Sequence, residues 1–444
     1  MSAVLPTLPI SNGEADHPPG GGGVLRPLHT PPQLLRDGPP PQAKLGEDIR
    51  ADFPGLSGNW HYLDTAATAQ KPQAVIDAMA RAMGPDYATV HRGVYARSAN
   101  MTLAYEAARA RVATFLGGQS DEVVFTRGAT EAINLVAYSY GAVVGAAKDT
   151  GRRVLLSQLE HHSNIVPWQL AGWVVDVCPL TPDGRIDLDA AEAMLTPDHD
   201  MVAFAHVSNV LGSTLDAARA ARLAHGVGAK LLLDGCQAVP RMAVDVAALG
   251  CDFYAFSGHK LYGPTGVGVL WGRKSLLDAM PPWAGGGSMI DRVTFAGTTY
   301  APAPTRFEAG TPAIVEVAAL HAAIDYVAAI GLDAIHAHEA ALVAATRAAL
   351  RAHNDIMLFG PEDSAGIVSF AMQGVHPHDI GTILDEANGE HGSVAIRAGH
   401  HCAQPLMDHL GVTATARVSF GLYSNDDDVA AFVRGLERVK RIFG

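Results

Sequence analysis

The chain has 444 residues, 48% of them hydrophobic and 17% charged, which is enough apolar material for a sizeable core and about two domains. Its net charge of −13 argues against a nucleic-acid binder, which usually shows a basic face, and no apolar run of 18 residues offers a transmembrane helix. Cys178, Cys236, Cys251 and Cys402 are too few for a disulfide framework and form no CxxC pair, so a reducing cytoplasm is the natural setting, and the chain start lacks a secretory signal.

Residues 1–45 are a separate material. A glycine run at 20–23 and a proline run at 39–41 leave little to bury, so this stretch is predicted to be a disordered extension. Short apolar patches at 24–28 and 34–35 leave two readings open: an inert tail, or a docking peptide for a partner or a protein shell. Ordered sequence should begin between Leu45 and Phe53. Apolar strands are predicted at 123–126, 154–157, 201–207, 231–234, 253–256 and 267–271, with helical periodicity at 103–116 and 131–140. Continuous apolar strands separated by helices mean a mostly parallel sheet covered on both faces, with ligands beyond the carboxyl ends of the strands.

From about residue 313 the texture changes. An Ala-rich helix over 315–330, ended by Gly331, leads to a smaller α/β domain. Within it helices are expected at 339–352 and 378–388, and strands at 367–372, 394–397 and 416–420. The last helix opens at Asn425, a good N-cap, with Asp426, Asp427 and Asp428 at its positive end.

The chemistry gathers at strand ends. The strand ending at Phe256 runs into Ser257-Gly258-His259-Lys260. A lysine beside a buried strand end is better suited to Schiff-base chemistry than to the surface. The strand ending at Asp234 supplies a carboxylate. An amine and an acid so placed suit pyridoxal phosphate (PLP), whose aldehyde needs the one and whose pyridine nitrogen needs the other. Gly128-Ala129-Thr130-Glu131 opens a helix after a strand and can seat a phosphate, with Ser257 and His259 in support, although Thr130 can equally be a cap. Glu160-His161-His162 lacks the spacing of a metal site, so an imidazole that stacks on a flat ring or moves a proton is the better reading. His400-His401-Cys402 also suggests zinc. It has no second cysteine cluster, which leaves a thiolate nucleophile, favoured by the imidazoles and Arg397, or an inert buried thiol. Arg417 is a candidate carboxylate clamp or a structural ion pair. Gly263-Pro264-Thr265-Gly266-Val267-Gly268 reads as a turn into a strand rather than a nucleotide loop.

Several stretches carry a resemblance: Tyr62-Leu63-Asp64-Thr65-Ala66-Ala67, His161-His162-Ser163-Asn164-Ile165-Val166-Pro167-Trp168, Asp234-Gly235-Cys236-Gln237-Ala238, Ser257 through Gly266, and Arg397-Ala398-Gly399-His400-His401-Cys402-Ala403. From about residue 46 to the end, the chain resembles the PLP-dependent cysteine desulfurases of group II, the SUF type, within the class V aminotransferases. The resemblance implies a fold type I homodimer. Residues 46–312 would form a large domain with a mostly parallel seven-stranded sheet, with 46–58 packing on the small domain. Residues 313–444 would form that small domain and carry the cysteine loop.

The resemblance also implies roles. Lys260 would take the cofactor aldehyde, Asp234 the pyridine nitrogen and Gln237 the ring hydroxyl. His161 would stack on the ring and move protons. Thr130, Ser257 and His259 would hold the phosphate, and Gly310 and Thr311 would reach the phosphate of the neighbouring subunit. Arg417, Asn209 and Arg397 would bind substrate, and Cys402 would accept sulfur. The implied reaction turns L-cysteine into L-alanine, leaves a persulfide on Cys402 and feeds iron–sulfur cluster assembly, with no metal in the site. Selenocysteine lyase and cysteine sulfinate desulfinase are the related alternatives. Two residues depart from the family pattern: Ala129 replaces a frequent hydroxyl, and Cys236, read as packing, replaces a small residue. The compact cysteine loop suggests an enzyme that is slow until a sulfur-acceptor protein reaches in.

Overall fold

Seven segments satisfy their backbone groups in one sheet: β1 (Val123–Thr126), β2 (Arg153–Ser157), β3 (Val174–Cys178), β4 (Met201–Ala205), β5 (Lys230–Asp234), β6 (Phe253–Ser257) and β7 (Gly268–Gly272). Their order is β1-β7-β6-β5-β4-β2-β3. β7 runs antiparallel to both its neighbours, and every other pairing is parallel. This computed structural model describes residues 45–56, 58, 60–147, 151–386 and 392–444. The readings made for the tail up to residue 44, and for the end of the helix expected at 378–388, lie outside the described residues.

β4 and β6 are buried at every position, as continuous apolar strands in a covered sheet should be. β3 escaped the sequence reading because it is the edge strand. Asp176 interrupts its apolar run and pairs with Arg153 at 2.6 Å, a charged edge that discourages further pairing. The strand expected to reach residue 207 stops at Ala205. There the Ser208 hydroxyl accepts from the amides of Val210 and Leu211 and turns the chain out of the ladder.

Helix α1 (Ala129–Leu135) follows β1 and continues through a wider turn at Val136–Tyr140 into Gly141–Ala147. Helix α2 (Ile314–Ile330) is apolar nearly all round and packs on Gln73–Met83 and Ala96–Leu116. It breaks by 75° into α3 (Leu332–Arg351) at Gly331, whose φ of +93° suits glycine alone. Helix α3 starts seven residues before the expected 339, because Glu339 occupies a buried position in the stripe Ile335, Glu339, Leu342, Val343 and hides its periodicity. No single helix among the described residues is long and apolar enough to cross a membrane.

A second sheet, antiparallel throughout, orders β8 (Ile356–Phe359), β9 (Ile367–Met372), β10 (Arg397–Gly399) and β11 (Thr415–Ser419) as β8-β9-β11-β10. The strand expected over 394–397 is two strands. Ser393–Ala395 pairs in parallel with Trp60–Tyr62, and after Ile396 the chain changes partners and becomes β10. The closing helix α4 (Asp426–Phe443) has the expected Asn425 cap, here in a full capping box with Asp428.

Candidate active site

A cavity of about 180 Å³ opens at the carboxyl ends of β4, β5 and β6. It is lined by Thr130, His161, Asn209, Asp234, Gln237, Ser257, His259, Lys260, Arg397, Cys402 and Arg417. These are all the site residues expected from the sequence except two. Gly310 lines a separate cleft of about 500 Å³ with His91, Arg109 and Glu308, and exposed Thr311 is not in the cavity either. Within one chain, neither residue reaches the lysine.

The floor is built from strand ends. Asp234 closes β5, 7% exposed, and one oxygen accepts from the Cys236 amide at 3.0 Å. Lys260 ends the single 3₁₀ turn Gly258–Lys260 that follows β6. The Ser257 hydroxyl accepts from the Ala129 amide at 2.9 Å and so ties β6 to the first turn of α1. That approach depends on glycine: a Cβ on Gly268 would lie 2.4 Å from the Gly128 Cα. Thr130 Oγ1 meets the Ser163 hydroxyl at 2.8 Å, and His259 Nδ1 meets Thr68 Oγ1 at 3.1 Å. Ser163 and Thr68 were not singled out in the sequence.

His161 is positioned by its own loop. The Ser163 amide donates to His161 Nδ1 at 3.1 Å, which leaves the ring proton on Nε2. Burial, reinforced by the charge of Lys260, pushes the His161 pKa down to about 4, so the ring is neutral near pH 7. Behind it, buried Glu160 accepts from the Ser157 hydroxyl, the Asn164 side chain and the Ala205 amide. That carboxyl pins the loop to β2 and β4. Its pKa is pushed up to about 7 by burial even so.

Arg417 lies on β11 and is fully enclosed. It donates to the Asn209 carbonyl at 2.8 Å and to Asp64 at 2.9 Å, while its Nε is buried without a partner. Asp64, within the Tyr62–Ala67 stretch, is the charge partner that sequence reasoning assigned no role. Arg397 stands farther off, 3.9 Å from Asp64. Asn209 Nδ2 donates to the His401 carbonyl at 2.8 Å, so its side chain steadies the cysteine loop.

Cys402 is the least buried of the four cysteines. Burial pushes Cys178, Cys236 and Cys251 up to about 12 and keeps them as thiols, which agrees with packing as the role of Cys236. Cys402 is half-buried and faces the cavity shared with Lys260. His401 and Cys402 both hold positive φ, 52° and 57°, so the loop tip is strained. His162 and His400 flank it: the His162 amide donates to the Cys402 carbonyl, and the Cys402 amide donates to His400 Nδ1. No cluster of three His, Cys, Asp or Glu side chains able to hold a metal occurs among the described residues.

This donor set fits a flat, anionic ligand with a basic ring nitrogen and an aldehyde. A buried carboxylate, an amine, a neutral imidazole and hydroxyls at a helix start are the groups PLP requires. The comparisons agree. The family model for class V aminotransferases matches residues 61–432. A cysteine desulfurase of Dickeya dadantii is 48% identical over 89% of this chain and 97% of its own length. One of Escherichia coli O127:H6 is 45% identical, covering 90% of this chain and 99% of its own. Among solved structures, the cysteine desulfurase CsdA of Escherichia coli superposes with a TM-score of 0.83 at 39% identity, over 89% of this chain and 98% of that one. That of Thermococcus onnurineus gives 0.84 at 37% identity, with the same shares covered. The chain belongs to the class V aminotransferase family, whose cysteine desulfurases are PLP-dependent enzymes with this α/β fold.

Proposed function

We propose that this chain is a PLP-dependent cysteine desulfurase of the group II, SUF type, converting L-cysteine to L-alanine and supplying sulfur for iron–sulfur clusters. One observation carries the reading: a single cavity holds Lys260, Asp234, His161, Arg417 and Cys402, the one cysteine of the four that is not buried. Lys260 would hold the cofactor aldehyde, Asp234 its ring nitrogen, Gln237 its ring oxygen, and Thr130, Ser257 and His259 its phosphate. Bound there, PLP supplies an electron sink that loosens the bonds at the α- and β-carbons of an amino acid.

The chain's own residues do the rest. The enclosed guanidinium of Arg417 takes the substrate carboxylate, with Asp64 and the Asn209 carbonyl fixing its plane and Arg397 at the rim. His161, neutral and with its one ring proton on Nε2, offers that N–H at the cavity wall as a hydrogen-bond donor that orients the reacting groups. The Cys402 sulfur, as thiolate, attacks the substrate sulfur. A sulfur–sulfur bond forms, the carbon–sulfur bond breaks, and the carbon keeps the electron pair and takes a proton, so that the three-carbon product leaves as alanine. The persulfide stays on Cys402.

The cysteine loop between β10 and the helix Gln404–Leu410 is only His400 to Ala403. A loop so short cannot carry sulfur far, which supports the group II assignment and an acceptor protein that comes to the site. A homodimer and the 312/313 domain division belong to the same proposal. A single chain leaves Val94, Leu103 and Phe295 exposed, and Gly310 in a cleft of its own. Placement in a reducing cytoplasm is also proposed, in keeping with four free cysteines.

The test is Cys402→Ser. The variant should bind PLP and show its visible absorbance, yet form no persulfide and release little alanine from cysteine. Undiminished sulfur release by that variant would overturn the assignment. Selenocysteine turnover that survives while cysteine turnover is lost would point to the lyase instead.

A further inference from the structure

Arg241, on the turn after β5, and Glu339, on α3, form an ion pair at 3.0 Å in which each side chain is 2% exposed. Gly366 roofs the pair: a Cβ there would lie 2.2 Å from Glu339 Oε2 and 2.6 Å from Arg241 Nε. Burying two charges this deeply is a poor route to stability, since apolar residues of the same volume do as well or better. What the pair accomplishes is visible at the other end of the guanidinium. Arg241 Nη1 donates to Gln237 Oε1 at 2.8 Å and to the Gln237 carbonyl at 3.0 Å. Gln237 Nε2 donates in turn to the Ala66 carbonyl at 2.7 Å. A guanidinium only donates and a carbonyl only accepts, so the carboxamide cannot flip without losing both bonds. The Gln237 nitrogen keeps a second N–H, and the residue lines the ligand cavity.

We infer that Arg241, held in place by Glu339, is a positioning residue that locks the Gln237 carboxamide with its nitrogen toward the cavity, so that the site offers an N–H donor to the oxygen on the ligand's ring. The pair thereby joins α3 to the floor beneath β5. This inference rests on the PLP reading of the cavity. A donor at the ring oxygen favours the more negative, deprotonated form of the bound cofactor, so losing it raises the midpoint of the cofactor's pH titration.

The experiment compares full-length wild type, Gln237→Leu, Arg241→Met/Glu339→Leu and the triple variant, each loaded with PLP. The double variant removes the pair without stranding a buried charge. Arg241→Lys, which keeps a cation for Glu339 but lacks the planar fork, serves as a second probe should the double variant fail to unfold cooperatively. The readouts are the pH titration of the visible absorbance and thermal unfolding. Gln237→Leu should raise the midpoint by roughly half to one pH unit, as expected for one hydrogen bond. The double variant, or Arg241→Lys in its place, should shift it in the same direction, and the triple variant should add nothing to Gln237→Leu. A midpoint unmoved by the Arg241 variants while Gln237→Leu shifts it overturns the inference, and so does an unmoved midpoint in Gln237→Leu. Wild type that takes up no PLP overturns the cofactor reading itself, which separates the two failures.

Discussion

At the scale of single residues, this site works by denying side chains their alternatives. His161 is kept neutral by burial and by Lys260, and its tautomer is set by one backbone amide. Glu160 meets donors on every side, and two of them, the Ala205 amide and the Asn164 side chain, cannot reverse. Asn164 is held as a donor toward it because its oxygen accepts from Trp168 and its nitrogen also reaches the Ala203 carbonyl. Glu160→Gln therefore forces an N–H against another N–H. It should cost about 1–3 kcal/mol in urea unfolding and lower activity through the His161 loop. Unchanged stability would show that the loop does not depend on this carboxyl.

Among elements, the approach of α1 to β7 sets where the first turn of α1 meets Ser257 at the cavity. Gly268→Ala would place a methyl group 2.4 Å from the Gly128 Cα and 2.7 Å from the Phe256 carbonyl, backbone atoms that cannot swing aside. The start of α1 must move away from Ser257. Weaker PLP retention, together with a loss of roughly 1–3 kcal/mol, is expected. Asn425→Ala is the contrasting case. It removes half of the α4 capping box and should cost about 1 kcal/mol in the same assay, with PLP retention unchanged. Equal PLP loss in both variants would refute the local account of Gly268.

For the molecule as a whole, buried titrating groups set the pH response. His161, His206 and His259 are pushed down to about 4 by burial, and His401 to about 2. Each folded value lies below the ordinary histidine value, so the unfolded chain binds more protons between the two. That stability is present above about pH 6.5 and lost as pH falls toward 4. Glu160 and Glu339, both pushed up to about 7 by burial, oppose this, because the folded state holds their protons longer. Four histidines outweigh two carboxyls between about pH 4.5 and 6.5. Stability should therefore fall on acidification from pH 7 to 5, before most surface carboxylates protonate. Denaturant midpoints that stay flat or rise over that range would contradict the balance.

Much of this was legible from residue order alone. Strand ends, glycines and helix starts are local features, so Asp234, Lys260, Thr130 and the Asn425 cap could be placed by reading along the chain, and long motifs tied Cys402 to the same chemistry. Edge strand β3 and the split at Ile396 were not legible, because an edge tolerates charge and a change of sheet leaves no local mark. Asp64, Glu160, Arg241 and Glu339 were missed for a related reason. A buried charge looks like a surface charge until its partner arrives from a distant segment. Sequence periodicity determined which segments form strands and helices, because burial of apolar faces is written at short range. Only the tertiary structure decided which charges are enclosed, which cysteine stays open and which side of Gln237 faces the cavity, because each depends on contacts between residues far apart in the chain.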